Sequence, residues 1–148
     1  MSAWRIGGYA GMLRARLNSV EFEKFADLGR QDRVTILLAD DEPKLRQMLG
    51  LILQEAGYHL MIARDGRQAL QLAREHAGRI DMLLSDIQMP GLTGPDLAKE
   101  LLRARPNLKI MLMSGCVSAL DAFESEWHFL QKPFAPNRLL EEVRLVLG

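Results

Sequence analysis

Between Val34 and Leu147 the chain alternates short apolar runs with amphipathic stretches, five of each, separated by turn residues. That rhythm admits few folds. Strands joined through helices must lie parallel, because an antiparallel hairpin needs no crossover. A parallel sheet must then be covered on both faces. Val34–Ala39, Tyr58–Ala63, Ile80–Ser85, Leu108–Met113 and Trp127–Leu130 are the expected strands. Pro43–Ala56, Arg67–His76, Pro95–Arg105, a short Val117–Glu124 and Pro136–Leu147 are the expected helices. Pro43 suits a first helical turn, Gly57 and Gly78 suit helix ends, and Pro106 closes the third helix. Leu45, Met48, Leu49, Ile52 and Leu53 form the expected buried stripe of the first helix; Leu139, Leu140, Val143 and Leu147 form that of the last. The fold class is therefore α/β, a doubly wound open sheet with right-handed crossovers.

Such sheets bind ligands outside the carboxyl ends of their strands, where the strand order reverses. The residues at those ends are Asp40, Asp41 and Glu42 after the first strand, Asp86 after the third, Ser114 after the fourth, and Lys132 after the fifth. Three aspartates gathered at one edge repel one another, so one is protonated or a cation neutralises them. An all-oxygen donor set suits Mg2+, which is commonly held by one or two carboxylates together with water and phosphate. A carboxylate there can also attack phosphorus and form an acyl phosphate. The transferred group's equatorial oxygens then need neutralising partners. Lys132 and Ser114 supply an ammonium and a hydroxyl, and Gly115 leaves room. Neither GxGxxG nor GxxxxGK[ST] occurs, which argues against a nucleotide site.

The segments LLADDEP at 37–43, SDIQMPGLTG at 85–94, MSG at 113–115 and LQKPF at 130–134 resemble the receiver domain of two-component response regulators. The resemblance spans 34–148 and leaves 1–33 as an N-terminal extension. It implies a flavodoxin-like sheet of order 2-1-3-4-5. It implies that Asp86 accepts phosphate from a histidine kinase or a histidine phosphotransfer protein. Asp41 would bind Mg2+ directly, Asp40 largely through water, and Gln88 through its backbone carbonyl. Ser114 and Lys132 would hold phosphoryl oxygens, and the Lys132–Pro133 peptide would be cis. Phe129 would stand at the aromatic switch position, moving with Ser114 to signal a downstream protein. Ser114 and Phe129 stand where the family more often has Thr and Tyr.

Composition narrows the setting. Nineteen basic and nineteen acidic residues give no net charge, so nothing global favours nucleic acid or an anionic membrane. One cysteine, Cys116, forms no internal disulfide and suits a reducing cytoplasm. It is expected to be a small, partly buried residue. His59, His76 and His128 lack metal-ligand spacing and are expected at strand ends or the surface. In the extension, a Gly-rich tail at 1–11 is expected to precede a surface helix over Met12–Leu28, with Leu13, Leu17, Val20, Phe25 and Leu28 as its stripe. That helix would pack on the domain or on a second copy, as a homodimer. Three alternatives stand beside the stand-alone regulator. One is a receiver belonging to a hybrid kinase or larger regulator. Another is a pseudo-receiver that carries no phosphate. The third is a haloacid-dehalogenase-like phosphatase, disfavoured because Asp40 and Asp41 are adjacent rather than spaced as DxD.

Overall fold

Helices cover both faces of a five-stranded parallel sheet, in a computed structural model that describes residues 33–116 and 126–148. The order of elements is β1 (Thr35–Ala39), α1 (Pro43–Glu55), β2 (His59–Ala63), α2 (Gly66–Glu75), β3 (Met82–Asp86), α3 (Gly94–Ala104), β4 (Lys109–Ser114), β5 (His128–Gln131) and α4 (Pro136–Leu147). The strand order is β2-β1-β3-β4-β5. The expected helix at Val117–Glu124 and the expected helix at Met12–Leu28 lie outside the described residues.

Alternation along each strand divides the core in two. Ile36 and Leu38 of β1, Met82 and Leu84 of β3, and Met111 and Met113 of β4 meet α1 and α4 through Leu49, Leu53, Leu139 and Val143. Leu37, Leu83, Ile110 and Leu112 point the other way, onto Ala69 and Ala73 of α2 and Leu97, Ala98 and Leu101 of α3. The central strands are apolar on both faces because both faces are covered. Small alanines on α2 bring that helix close to the sheet.

Several boundaries shift from expectation. β3 begins at Met82 rather than Ile80, and it ends on Asp86 itself. Asp81 stands outside the strand proper: its N–H donates to the Thr35 carbonyl, while its carboxylate accepts the Thr35 N–H at 2.8 Å. β4 likewise includes Ser114. α2 starts one residue early, at Gly66, because the Asp65 carboxylate caps it by accepting the Gln68 N–H at 2.8 Å. Met48 leaves the expected stripe: it is 45% exposed, as is Leu51 at 56%, while Gly50 faces β2. α1 buries Leu49, Gly50 and Leu53 fully, while Leu45 and Ile52 pack partly buried against the same core. On α4, Val146 joins Leu139 and Val143 in the core, and Leu147 is only partly buried.

Candidate functional site

The strand order reverses between β1 and β3, and the acidic side chains emerge there. Asp40 follows β1 directly and is wholly buried, Asp41 is exposed, and Asp86 closes β3 half-buried. One carboxylate oxygen from each lies within 4.8 Å of the others. Lys132 follows β5, and its ammonium reaches across β4's end to both acids, 3.1 Å from Asp86 Oδ2 and 3.5 Å from Asp40 Oδ2. The Lys132 N–H donates to the Ser114 carbonyl at 2.9 Å, which holds its backbone at the end of β4. As expected, the Lys132–Pro133 peptide is cis.

Each polar atom of Asp40 has a distinct environment. Its N–H donates to the Ala63 carbonyl at 3.2 Å, and its Oδ1 accepts the Glu42 N–H at 2.9 Å. Its Oδ2 is buried without a hydrogen-bond partner, and the Lys132 ammonium lies 3.5 Å from it as an ion pair. Burial pushes the Asp40 carboxyl above the ordinary aspartate range, and the nearby Asp86 charge adds to the shift. The Glu42 N–H and the Lys132 ammonium oppose it without cancelling it. The direction is that expected from crowded carboxylates, but desolvation rather than mutual repulsion is the larger cause.

Three carboxylates against one ammonium leave a charge of −2 when all are ionised, which one divalent cation balances. The orphaned Asp40 oxygen and the all-oxygen donor set fit Mg2+. The side chain of Asp41 has no hydrogen-bond partner among the described residues and is free to take up a ligand. Gln88 is exposed, its N–H 3.4 Å from Asp86 Oδ1.

Ser114 is buried, and its hydroxyl accepts the Cys116 N–H at 3.0 Å and contacts the Cys116 carbonyl at 3.3 Å. The expected partial burial of Cys116 is not found: it is exposed, because the chain has left the sheet edge by that point. A Cβ on Gly115 would meet nothing within 4 Å, so space is open beside Ser114. Phe129 is half-buried against the core that contains Leu112, its neighbour across β4 and β5.

Two residues that sequence reasoning did not single out shape the site. A Cβ on Gly94 would lie 2.2 Å from the Asp86 carbonyl oxygen, so only glycine lets α3 start against the end of β3. Arg46 of α1 donates from its guanidinium to the Asp40 carbonyl at 2.8 Å. The signal for Gly94 was its place at the close of the SDIQMPGLTG run; nothing local marks Arg46.

The model of the response regulator receiver domain matches residues 36–144. The chain is 35% identical over 131 residues to the sensor kinase CckA of Brucella abortus, covering 84% of this chain and 13% of the kinase. It is 33% identical to the chemotaxis protein CheY of Thermotoga maritima, covering 75% of this chain and 95% of that one. The crystal structure of the response regulator TrrA from Thermotoga maritima, solved in complex with Mg2+-BeF, superposes with a TM-score of 0.69 at 31% identity. That match covers 76% of this chain and 98% of TrrA.

Proposed function

The chain belongs to the response regulator receiver domain family, and from that premise we propose that Asp86 is its phosphoacceptor. The receiver occupies 34–148, with 1–33 as an extension. A carboxylate oxygen of Asp86 forms the new bond to phosphorus as the P–N bond of a phosphohistidine breaks. The electron pair of that bond returns to the donor imidazole. Asp41 and Asp86, with Asp40 largely through water and Gln88 through its backbone carbonyl, would hold Mg2+, which would supply positive charge beside the phosphoryl group. Lys132 already spans Asp86 and Asp40, so its ammonium lies beside the reacting oxygen before transfer. It then pairs with a second phosphoryl oxygen. Ser114 leaves Cys116 and donates its hydroxyl to a third. That movement frees space behind β4, into which Phe129 turns, altering the surface read by a downstream protein.

The observation that carries this reading is the Lys132 ammonium placed between a half-buried and a wholly buried aspartate. TrrA, similar in sequence and fold, was crystallised with Mg2+-BeF, which supports the same ligand chemistry here. The phosphodonor is a histidine kinase or a histidine phosphotransfer protein, and the setting is cytoplasmic. The chain's own chemistry is limited to gaining and losing its phosphoryl group. Neither nucleic acid nor membrane is a direct partner in this reading, nineteen basic and nineteen acidic residues giving no net charge to attract them.

Intact-mass analysis after incubation with acetyl phosphate and Mg2+ tests the proposal. A gain of about 80 Da, one phosphoryl group, is expected in the wild type and not in Asp86→Asn. A wild type without the adduct would make the domain a pseudo-receiver. A second reading, a receiver within a hybrid kinase, is favoured by the match to a stretch of CckA. An antibody against the domain would then detect a kinase-sized band in cells.

A further inference from the structure

The side chain of Asp41 points from a backbone held at one place by a side chain from outside its own turn. The peptide joining Asp40 to Asp41 presents its carbonyl oxygen to the guanidinium of Arg46, 2.8 Å away. Arg46 lies in the first turns of α1, and its own N–H continues the helix by donating to the Glu42 carbonyl at 3.0 Å. The N–H and Oδ1 of Asp40 are held by Ala63 and Glu42, and its Oδ2 lies 3.5 Å from the Lys132 ammonium. Asp41 itself is exposed and makes no side-chain hydrogen bond among the described residues. The direction in which its side chain leaves the backbone therefore depends in part on the plane of the 40–41 peptide, whose carbonyl Arg46 holds.

We propose that Arg46 is a positioning residue for the metal site, holding the Asp40–Asp41 peptide so that the Asp41 carboxylate faces the acidic cluster. The inference rests on the assignment of Asp41 as a metal ligand. A charged donor makes the contact stronger than a neutral one would. Groups that orient a metal ligand commonly change affinity 10–100-fold when removed.

The sign of the effect separates positioning from simple electrostatics. Arg46 carries positive charge near the site, so by Coulomb's law alone its removal strengthens cation binding. Positioning requires the opposite. Calorimetric titration of the full chain with MgCl2 should show about tenfold weaker binding in Arg46→Met. Arg46→Gln, neutral and too short to reach the carbonyl, should weaken binding likewise. Arg46→Lys, which keeps the charge and a donor on a stem of similar length, should recover most of the affinity. Melting in EDTA reports the fold of each variant, and the rise in melting temperature on adding Mg2+ should fall only in the Met and Gln variants. Unchanged or tighter Mg2+ binding in a folded neutral variant overturns the proposal. Asp41→Asn is titrated alongside: if it binds Mg2+ as the wild type does, the ligand assignment fails first, and the role of Arg46 with it.

Discussion

Replacing Gly94 with alanine puts one methyl group where α3 meets the end of β3. The added Cβ would stand 2.2 Å from the Asp86 carbonyl oxygen, 3.0 Å from the Asp86 carbonyl carbon and 3.1 Å from the Ile87 Cα. All three are backbone atoms, so no side chain can swing aside. Ordinary contact begins near 3.4 Å, so the two backbones must part by about 1 Å. The Gly94 N–H donates to the Ile87 carbonyl at 2.9 Å, and that bond lengthens with the separation. Overpacking costs about 1–3 kcal/mol, and the weakened hydrogen bond about 1 kcal/mol more. Helix propensity returns at most about 1 kcal/mol of this. The expected loss is about 1–4 kcal/mol, or roughly 4–16 °C in Tm for a domain of this size. Thermal and urea unfolding in EDTA measure it directly. Gly115→Ala is the control, since its Cβ would meet nothing within 4 Å. It should leave Tm unchanged yet slow acetyl-phosphate labelling, because the new methyl occupies space kept for the phosphoryl group. A Gly94→Ala protein melting within 2 °C of wild type would refute the steric argument, an effect of only about 0.5 kcal/mol.

Other substitutions separate charge, capping and switching. Asp40→Asn should stabilise the metal-free protein at neutral pH. The raised Asp40 pKa means the folded state binds its proton more tightly than the unfolded chain. Wild-type stability therefore falls as pH rises through the aspartate range and beyond it to the folded pKa. Urea midpoints of the two proteins in EDTA should converge below that range and diverge above it; parallel curves would contradict the burial argument. Ser114→Ala should still accept phosphate, but the phosphorylated form should lose about fivefold in partner affinity. That is about 1 kcal/mol, the net worth of a hydrogen bond exchanged for those to Cys116. Binding of the phosphorylated variant by calorimetry checks this. The Arg105 guanidinium donates to the carbonyls of Ala73, His76 and Gly78, at 3.1, 2.8 and 2.9 Å, tying α3 to the end of α2. Arg105→Ala should cost about 2–3 kcal/mol in urea unfolding and leave labelling of Asp86 unchanged.

Sequence alone determined what depends on periodicity and chain punctuation. The β–α alternation required a parallel sheet with both faces covered, and the apolar runs located every described strand to within two residues. The same alternation placed Asp40, Asp41, Asp86, Ser114 and Lys132 at one edge, because each follows or closes a strand and parallel strands share an end. It did not dictate the order 2-1-3-4-5, which came from the likeness of four short segments to a family. Tertiary structure decided whatever depends on distance between segments remote in sequence. Met48 has the spacing of a core residue, but α1 packs on the sheet through Leu49, Gly50 and Leu53, and Met48 is left to solvent. Crowded aspartates suggest repulsion, yet burial is the larger influence on Asp40, since desolvation depends on the packing around it. Glycine at 94 resembles any loop glycine until a strand end lies 2.2 Å from its missing Cβ. Arg46 looks like a solvated helix charge, and only the return of α1 toward the end of β1 brings its guanidinium to the Asp40 carbonyl. Local patterns encode which face and which end a residue occupies; ångström-scale contacts arise only when the segments pack.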